Sequence, residues 1–137
     1  ADREALREGL ANGLIDTIGS DHAPHLASEK EGSYTKVPSG LPSIQQSLPV
    51  LLTIAYSDGI PLTRIASVFS ENASELYGLD RGKIKRGYAA DLVIFDYSKE
   101  FIVKKEDQLS KCGWTPYEGE TLRGVIETVF IDGKPVG

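Results

Sequence analysis

The chain of 137 residues is long enough for one ordinary domain, or two small ones, with a real core, and its 40% hydrophobic and 26% charged residues exclude general disorder. A net charge of −5, with no dense Lys/Arg run, excludes the basic patch that nucleic acid or an anionic membrane surface requires. No apolar stretch reaches the roughly 18 residues of a membrane span, and a lone cysteine, Cys112, excludes an internal disulfide and fits a reducing compartment.

The N-terminus, ADREALREGLANGL, has no methionine, basic n-region or apolar h-region, so it is not a signal peptide. It reads as a chain entered in mid-stream, and the absence of methionine throughout agrees; the expectation is a soluble cytoplasmic protein that is a fragment of a longer one. Residues 2–12 have helical spacing, with Asp2 as a cap, Glu4 and Arg7 as an i,i+3 ion pair, Leu6 and Leu10 on one face, and Gly13 at the C-terminal turn. LIDTIGS (14–20) then reads as a buried strand, and 21–43, rich in Gly, Pro, Ser and Lys, as a long loop of the kind that carries function. SIQQSLPVLLTIAYSDG (43–59) predicts a helix capped by Ser43, burying Ile44, Leu48, Leu51, Leu52 and Ala55, with Pro49 kinking it or marking its effective start. Two further helices follow, PLTRIASVFS (61–70) with proline first and ENASELYGL (71–79) ended by Gly78.

After Leu79 the apolar period changes from 3.6 to 2. A turn-rich approach over 82–92 leads to strands at 90–98, 101–105 and 124–136, the last folded back at Asp132-Gly133, a strong hairpin signal. The chain thus divides near residue 79 into a helix–strand–loop–helix half (1–79) and an all-β half (80–137).

The chemistry concentrates in IGSDHAPHLASEK (18–30), which holds both histidines. Asp21 directly follows the expected strand, at the end where α/β folds place ligands. It reads equally as an N-cap or Asx-turn residue, and His22 and His25 as ordinary loop histidines. Their joint placement favours chemistry: one carboxylate and two imidazoles within five positions suit zinc and proton transfer, with Pro24 fixing the backbone between the rings. A metal needs three or four protein ligands, however, and no further histidine exists here, so a self-contained zinc site is not expected. In VPSGLPS (37–43) the glycine could let backbone amides approach a ligand, although on spacing alone an ordinary Pro/Gly loop is the commoner case. Lys30 and Lys36 are either solvated or steer an anionic substrate. CGWTPYEGE (112–120) reads as a packed loop in which Cys112 is a structural thiol.

GSDHAPH followed by EK, VPSGLPSIQQSLPVLL, SENASELYGLDRGKIKRGYAADLVIFD and SKCGWTPYEGETLRGVIETVFIDGKPV, in that order, resemble the dihydroorotases of the amidohydrolase superfamily. The resemblance covers nearly the whole chain. It implies a zinc-dependent enzyme of pyrimidine biosynthesis that reversibly interconverts dihydroorotate and N-carbamoyl-aspartate. The family fold is an α/β one, a distorted TIM barrel beside a small β-sandwich built from both chain ends. Asp21 matches the aspartate ending the last barrel strand, a zinc ligand that takes a proton from the metal-bound hydroxide and passes it to the leaving ring nitrogen. His25 matches the histidine that binds the substrate carboxylate, and the Ser39 and Gly40 backbone matches the loop that bonds the pyrimidine ring. His22 carries no family role beyond a structural one.

A TIM barrel takes about 250 residues and at least about 200. The family's His-x-His motif, carboxylated lysine, other metal-binding histidines and substrate-binding arginine are all absent from this sequence. The resemblance therefore implies the C-terminal piece of a dihydroorotase: residues 1–79 the last barrel strand and closing helices, residues 80–137 most of the sandwich. One or two zinc ions per full-length subunit, a homodimeric parent, and an inactive, weakly zinc-binding isolated chain follow from that expectation. Two alternatives remain: another cyclic amidohydrolase (an allantoinase or dihydropyrimidinase), or a non-catalytic dihydroorotase-like partner of aspartate carbamoyltransferase. An independent binding module is disfavoured, because one barrel strand with its helices would expose an apolar face and a strand edge.

Overall fold

A computed structural model of the chain describes residues 1–136. It is a small α/β structure in which helices pack on one face of a three-stranded antiparallel sheet. Helix α1 spans Asp2–Asn12, with Gly13 left-handed at its end as expected. Its surface interactions differ from expectation. Asp2 lies inside the first turn and makes no cap bond, Leu6 stays 64% exposed, and the buried residues are Gly9 and Leu10. Arg7 ignores Glu4, which pairs with the terminal amine, and instead reaches Asp58 (Nε–Oδ2 2.6 Å) and the Ser57 hydroxyl (2.7 Å). A forked guanidinium matched to a carboxylate on a neighbouring helix outcompetes a monodentate pair along one surface.

Residues 14–20 do not form the expected strand. They have no regular secondary structure, and side chains and backbone of the following helices satisfy them: Arg64 donates to Ile15 O, Asn72 Nδ2 donates to Asp16 O (2.8 Å), and the Ile18 N–H donates to Val68 O (3.1 Å). A strand needs a neighbouring strand's ladder, and here only a single parallel bridge, His22 to Leu41, lies beyond the segment. Ile15 and Ile18 still pack against the core, so the apolar pattern reported burial rather than pairing.

A tight turn at Ile44–Gln46 leads into α2 (Ser47–Asp58). Pro49 is its third residue and is buried, so it marks the helix start, as one of the two expectations had it, because the first turn needs no N–H from that position. Ile44 lies in the preceding turn and is 62% exposed, against expectation, while Leu51, Leu52 and Ala55 are buried. Leu62–Ala66 (α3) and Asn72–Leu76 (α4) were expected as parts of two separate helices. They are joined by a π-helical stretch, Ser67–Glu71, into one run. The core comprises Leu10, Leu51, Leu52, Ala55, Ile60, Ile65 and Val68, with Phe95 and Tyr97 of the sheet against it.

Strand β1 (Leu92–Ile102) joins the two short strands expected at 90–98 and 101–105 into one, and β2 spans Thr121–Ile131. Their register runs from Leu92↔Phe130 to Ile102↔Thr121 with breaks at Ile94/Phe95 and Asp96/Glu100. At the second break the Asp96 carboxylate accepts the Ser98 N–H (2.9 Å) and hydroxyl (2.6 Å), folding the extra residues out of the ladder. The expected hairpin joins β2 to β3 (Lys134–Val136): Asp132 and Gly133 have φ of 48° and 75°, the pattern of a type I′ turn. The two halves meet where α2 crosses β2. The Arg123 N–H donates to the Thr53 hydroxyl (2.9 Å), and its guanidinium lies 3.7 Å from the Tyr56 ring centroid. Gly124, with φ +92°, lies so close to Leu52 that a Cβ would come within 2.4 Å of its Cδ1. Among the described residues no helix is long and apolar enough to cross a membrane.

Candidate functional site

The two loops singled out in the sequence, 21–25 and 37–43, come together. The Ala23 N–H donates to Leu41 O (3.0 Å), which pairs the segments beside the His22–Leu41 bridge. Gly40 packs directly on the first loop, where a Cβ would come within 2.4 Å of Ala23 Cβ; with φ +88°, only glycine fits there. Lys30, a candidate for steering anions, does something else. Its half-buried ammonium donates to Pro38 O (2.5 Å) and Gly40 O (2.6 Å), holding the Ser39–Gly40 turn against the histidine loop.

Asp21 stands at the corner of this arrangement. Its side chain is exposed and its backbone left-handed, φ 45°, one of two non-glycine residues so placed among those described. Aspartate tolerates that conformation better than most residues, and such strain persists only where surrounding contacts impose it. His22 turns inward. Its Nδ1 accepts the N–H groups of Ser43 (3.1 Å) and Ile44 (3.2 Å), which places the ring proton on Nε2. His22 thereby caps the turn that starts α2, the part expected of Ser43. The Ser43 hydroxyl instead donates to Ser20 O (2.8 Å) and ties the two loops together once more.

His25 sits on the other limb of the loop. Its N–H donates to Ala23 O across Pro24 (2.9 Å), and its Nδ1 lies 3.7 Å from Glu29 Oε2. The same Glu29 oxygen accepts the Leu26 N–H (2.7 Å). From the far half of the chain, the Trp114 indole N–H donates to His25 O (2.8 Å). A cavity of about 390 Å³ opens beside His22, between the start of α2 and Gln108–Ser110. Gln46 lines it, 3% exposed, donating to Gln108 Oε1 (3.0 Å) while its own Oε1 has no protein partner.

The structure thus brings together the segments that hold Asp21, His25, Ser39 and Gly40, and adds Lys30 as a clamp and Trp114 as a neighbour of His25, which the sequence did not point to. The only available signal for the latter was a lone tryptophan in a polar loop, which must find an acceptor for its N–H when half-buried. As a metal centre the site is partial. Among the described residues no three His, Cys, Asp or Glu side chains are gathered to hold an ion, Nδ1 of His22 is occupied, and Asp21 offers a single carboxylate. These residues by themselves do not fit zinc, which takes three or four protein ligands.

Residues 1–136 match the amidohydrolase family, and the chain belongs to it. Its relatives include the dihydroorotase of Halobacterium salinarum, 41% identical over 85% of this chain and 28% of that protein. The dihydroorotase of Aquifex aeolicus is 39% identical over 98% of this chain and 32% of its own length. Among solved structures, a D-hydantoinase (dihydropyrimidinase) from Thermus sp. superposes with a TM-score of 0.90 at 30% identity, over 96% of this chain and 30% of that one. The dihydropyrimidinase of Brevibacillus agri gives 0.91 at 28%, over 97% and 30%. The chain therefore spans about a third of the length of the relatives it matches.

Proposed function

We propose that these residues are one wall of the active site of a dihydroorotase, a cyclic amide hydrolase acting on dihydroorotate and N-carbamoyl-aspartate in cytoplasmic pyrimidine biosynthesis. The observation that carries the reading is the joining of the Asp21–His25 loop to the Ser39–Gly40 turn, in a chain about 40% identical to dihydroorotases. In this reading residues 1–79 complete a (β/α)8 barrel and residues 80–137 a β-sandwich, within a homodimeric parent enzyme. Zinc belongs to ligands outside this stretch, to which Asp21 adds one.

Asp21 also carries the proton to the leaving ring nitrogen, a task for an exposed carboxylate on a constrained turn. His25 receives the substrate carboxylate, its ring held on the outer limb of the loop with Nδ1 3.7 Å from Glu29 Oε2. The Ser39 and Gly40 backbone bonds the ring amides; Lys30 keeps their peptide groups oriented by holding the Pro38 and Gly40 carbonyls. A second reading, a dihydropyrimidinase, is favoured by the structural likeness to hydantoinases, whose relation to this chain is 28–30% identity. The expected result is that the full-length enzyme containing these residues turns over dihydroorotate and neither allantoin nor dihydrouracil. Turnover of only the latter two sinks the dihydroorotase reading, and none of any, with zinc supplied, favours a non-catalytic homologue.

A further inference from the structure

We propose that Trp114 is a positioning residue for His25, setting the affinity for the substrate carboxylate from the β half of the chain without touching substrate. The proposal rests on the reading above that His25 binds that carboxylate.

His25 lies in a loop with no ladder or helix to fix it, so its backbone polar groups need other partners. Both have one. The N–H is bonded to Ala23 O within the Pro24 turn, and the carbonyl accepts the indole N–H of Trp114, 89 residues away. Tryptophan is a donor only, with one N–H of fixed direction, so the bond orients the peptide as well as tethering it.

Trp114 is itself held. Cys112 and Thr115 on either side are buried, and the Cys112 thiol donates to Trp114 O (3.5 Å). The segment before it is laced to the start of α2. Gln45 donates to Asp107 O and accepts the Leu109 N–H, both at 2.9 Å, and Gln46 donates to Gln108 Oε1. Residues 104–117 thus form a strap that grips both limbs of the site. It reaches His25 directly and, through Gln45 and Gln46, the α2 terminus that His22 caps. Losing the indole bond frees the His25 carbonyl and lets the ring swing from its place beside Glu29.

The test uses the full-length enzyme that contains these residues, with dihydroorotate as substrate. Trp114→Phe removes the donor. Replacement by 3-benzothienylalanine removes it while keeping the bicyclic shape, which covers the case in which phenylalanine packs poorly. Loss of one hydrogen bond should raise KM about five-fold with kcat within about two-fold. On a His25→Ala background the same loss should add less than about two-fold, because its effect is already spent. Equal effects on both backgrounds, or a matching fall in kcat, would show a merely structural tryptophan and overturn the proposal. A raised KM in His25→Ala with an unchanged KM on loss of the indole N–H removes this proposal alone. An unchanged KM in His25→Ala removes the carboxylate role, and this proposal with it.

Discussion

Two residues decide whether the joined loops work as proposed. Asp21→Asn keeps the size of the side chain and its tolerance of a left-handed backbone but removes the base. In the parent enzyme it should lower kcat by at least about a hundred-fold with little change in the thermal midpoint. Steady-state rates and a melting curve on one preparation decide this; unimpaired turnover would take Asp21 out of the mechanism. Gly40→Ala acts differently. Its added Cβ meets Ala23 Cβ at 2.4 Å and its φ of +88° is strained for alanine, so the two loops must part. Overpacking and strain together cost about 2 kcal/mol. A lower thermal midpoint and a raised KM should appear together, and a variant with neither would mean that the loops are not held as described. The candidacy of Asp21 and His25 was legible in the sequence because an acid and two imidazoles fall within five positions. The capping role of His22 was not, since local spacing says nothing about two N–H groups arriving from residues 43 and 44.

Elements were legible by period and misjudged by partner. The helical stretches and the Asp132-Gly133 hairpin were readable because apolar spacing, prolines and turn glycines act over a few positions, whereas the side-chain caps expected at Asp2 and Ser43 did not form. The strand expected at 14–20 failed because an apolar run reports burial, whereas a strand requires a neighbour whose place no local pattern reveals. The break in β1 has its own chemistry. The Ser98 hydroxyl, then Lys99 and the Ser98 N–H, stabilise the Asp96 carboxylate and hold its pKa down to about 2, against an ordinary 3.8. The folded chain therefore takes up a proton at Asp96 less readily than the unfolded one. This stabilisation is full above about pH 4 and is lost as the pH falls toward about 2. Asp96→Asn should flatten the fall in thermal midpoint between about pH 5 and about pH 2.5 relative to the parent. A steeper fall in the variant would contradict the assignment.

At the scale of the molecule, the helical and β halves share a core through α2 and β2, with Gly124 against Leu52 and Arg123 over Tyr56. Gly124→Ala, with its Cβ 2.4 Å from Leu52 Cδ1, should loosen that junction and cost about 2 kcal/mol, read as a lower thermal midpoint. The chain spans about a third of the length of its relatives, and among the described residues no three His, Cys, Asp or Glu side chains are gathered to hold an ion. Titrating the 137-residue chain with zinc in a calorimeter should give weak binding, and an assay with dihydroorotate no turnover. Tight one-to-one binding would mean that ligands absent from the reading above exist within the chain.

By itself the sequence determined the helical and β halves, the hairpin, the acid–imidazole loop and the likeness to dihydroorotases, because these depend on residue type at short spacing. Only the tertiary structure decided which groups those residues serve. It made Lys30 a clamp on carbonyls, His22 a helix cap, Arg7 the partner of Asp58, and Trp114 the anchor of His25. Each of these is a hydrogen bond between groups far apart in the chain, except Lys30, whose partners lie eight and ten residues on. Such partners are set by how the core closes, since a donor takes whatever acceptor packing brings within reach.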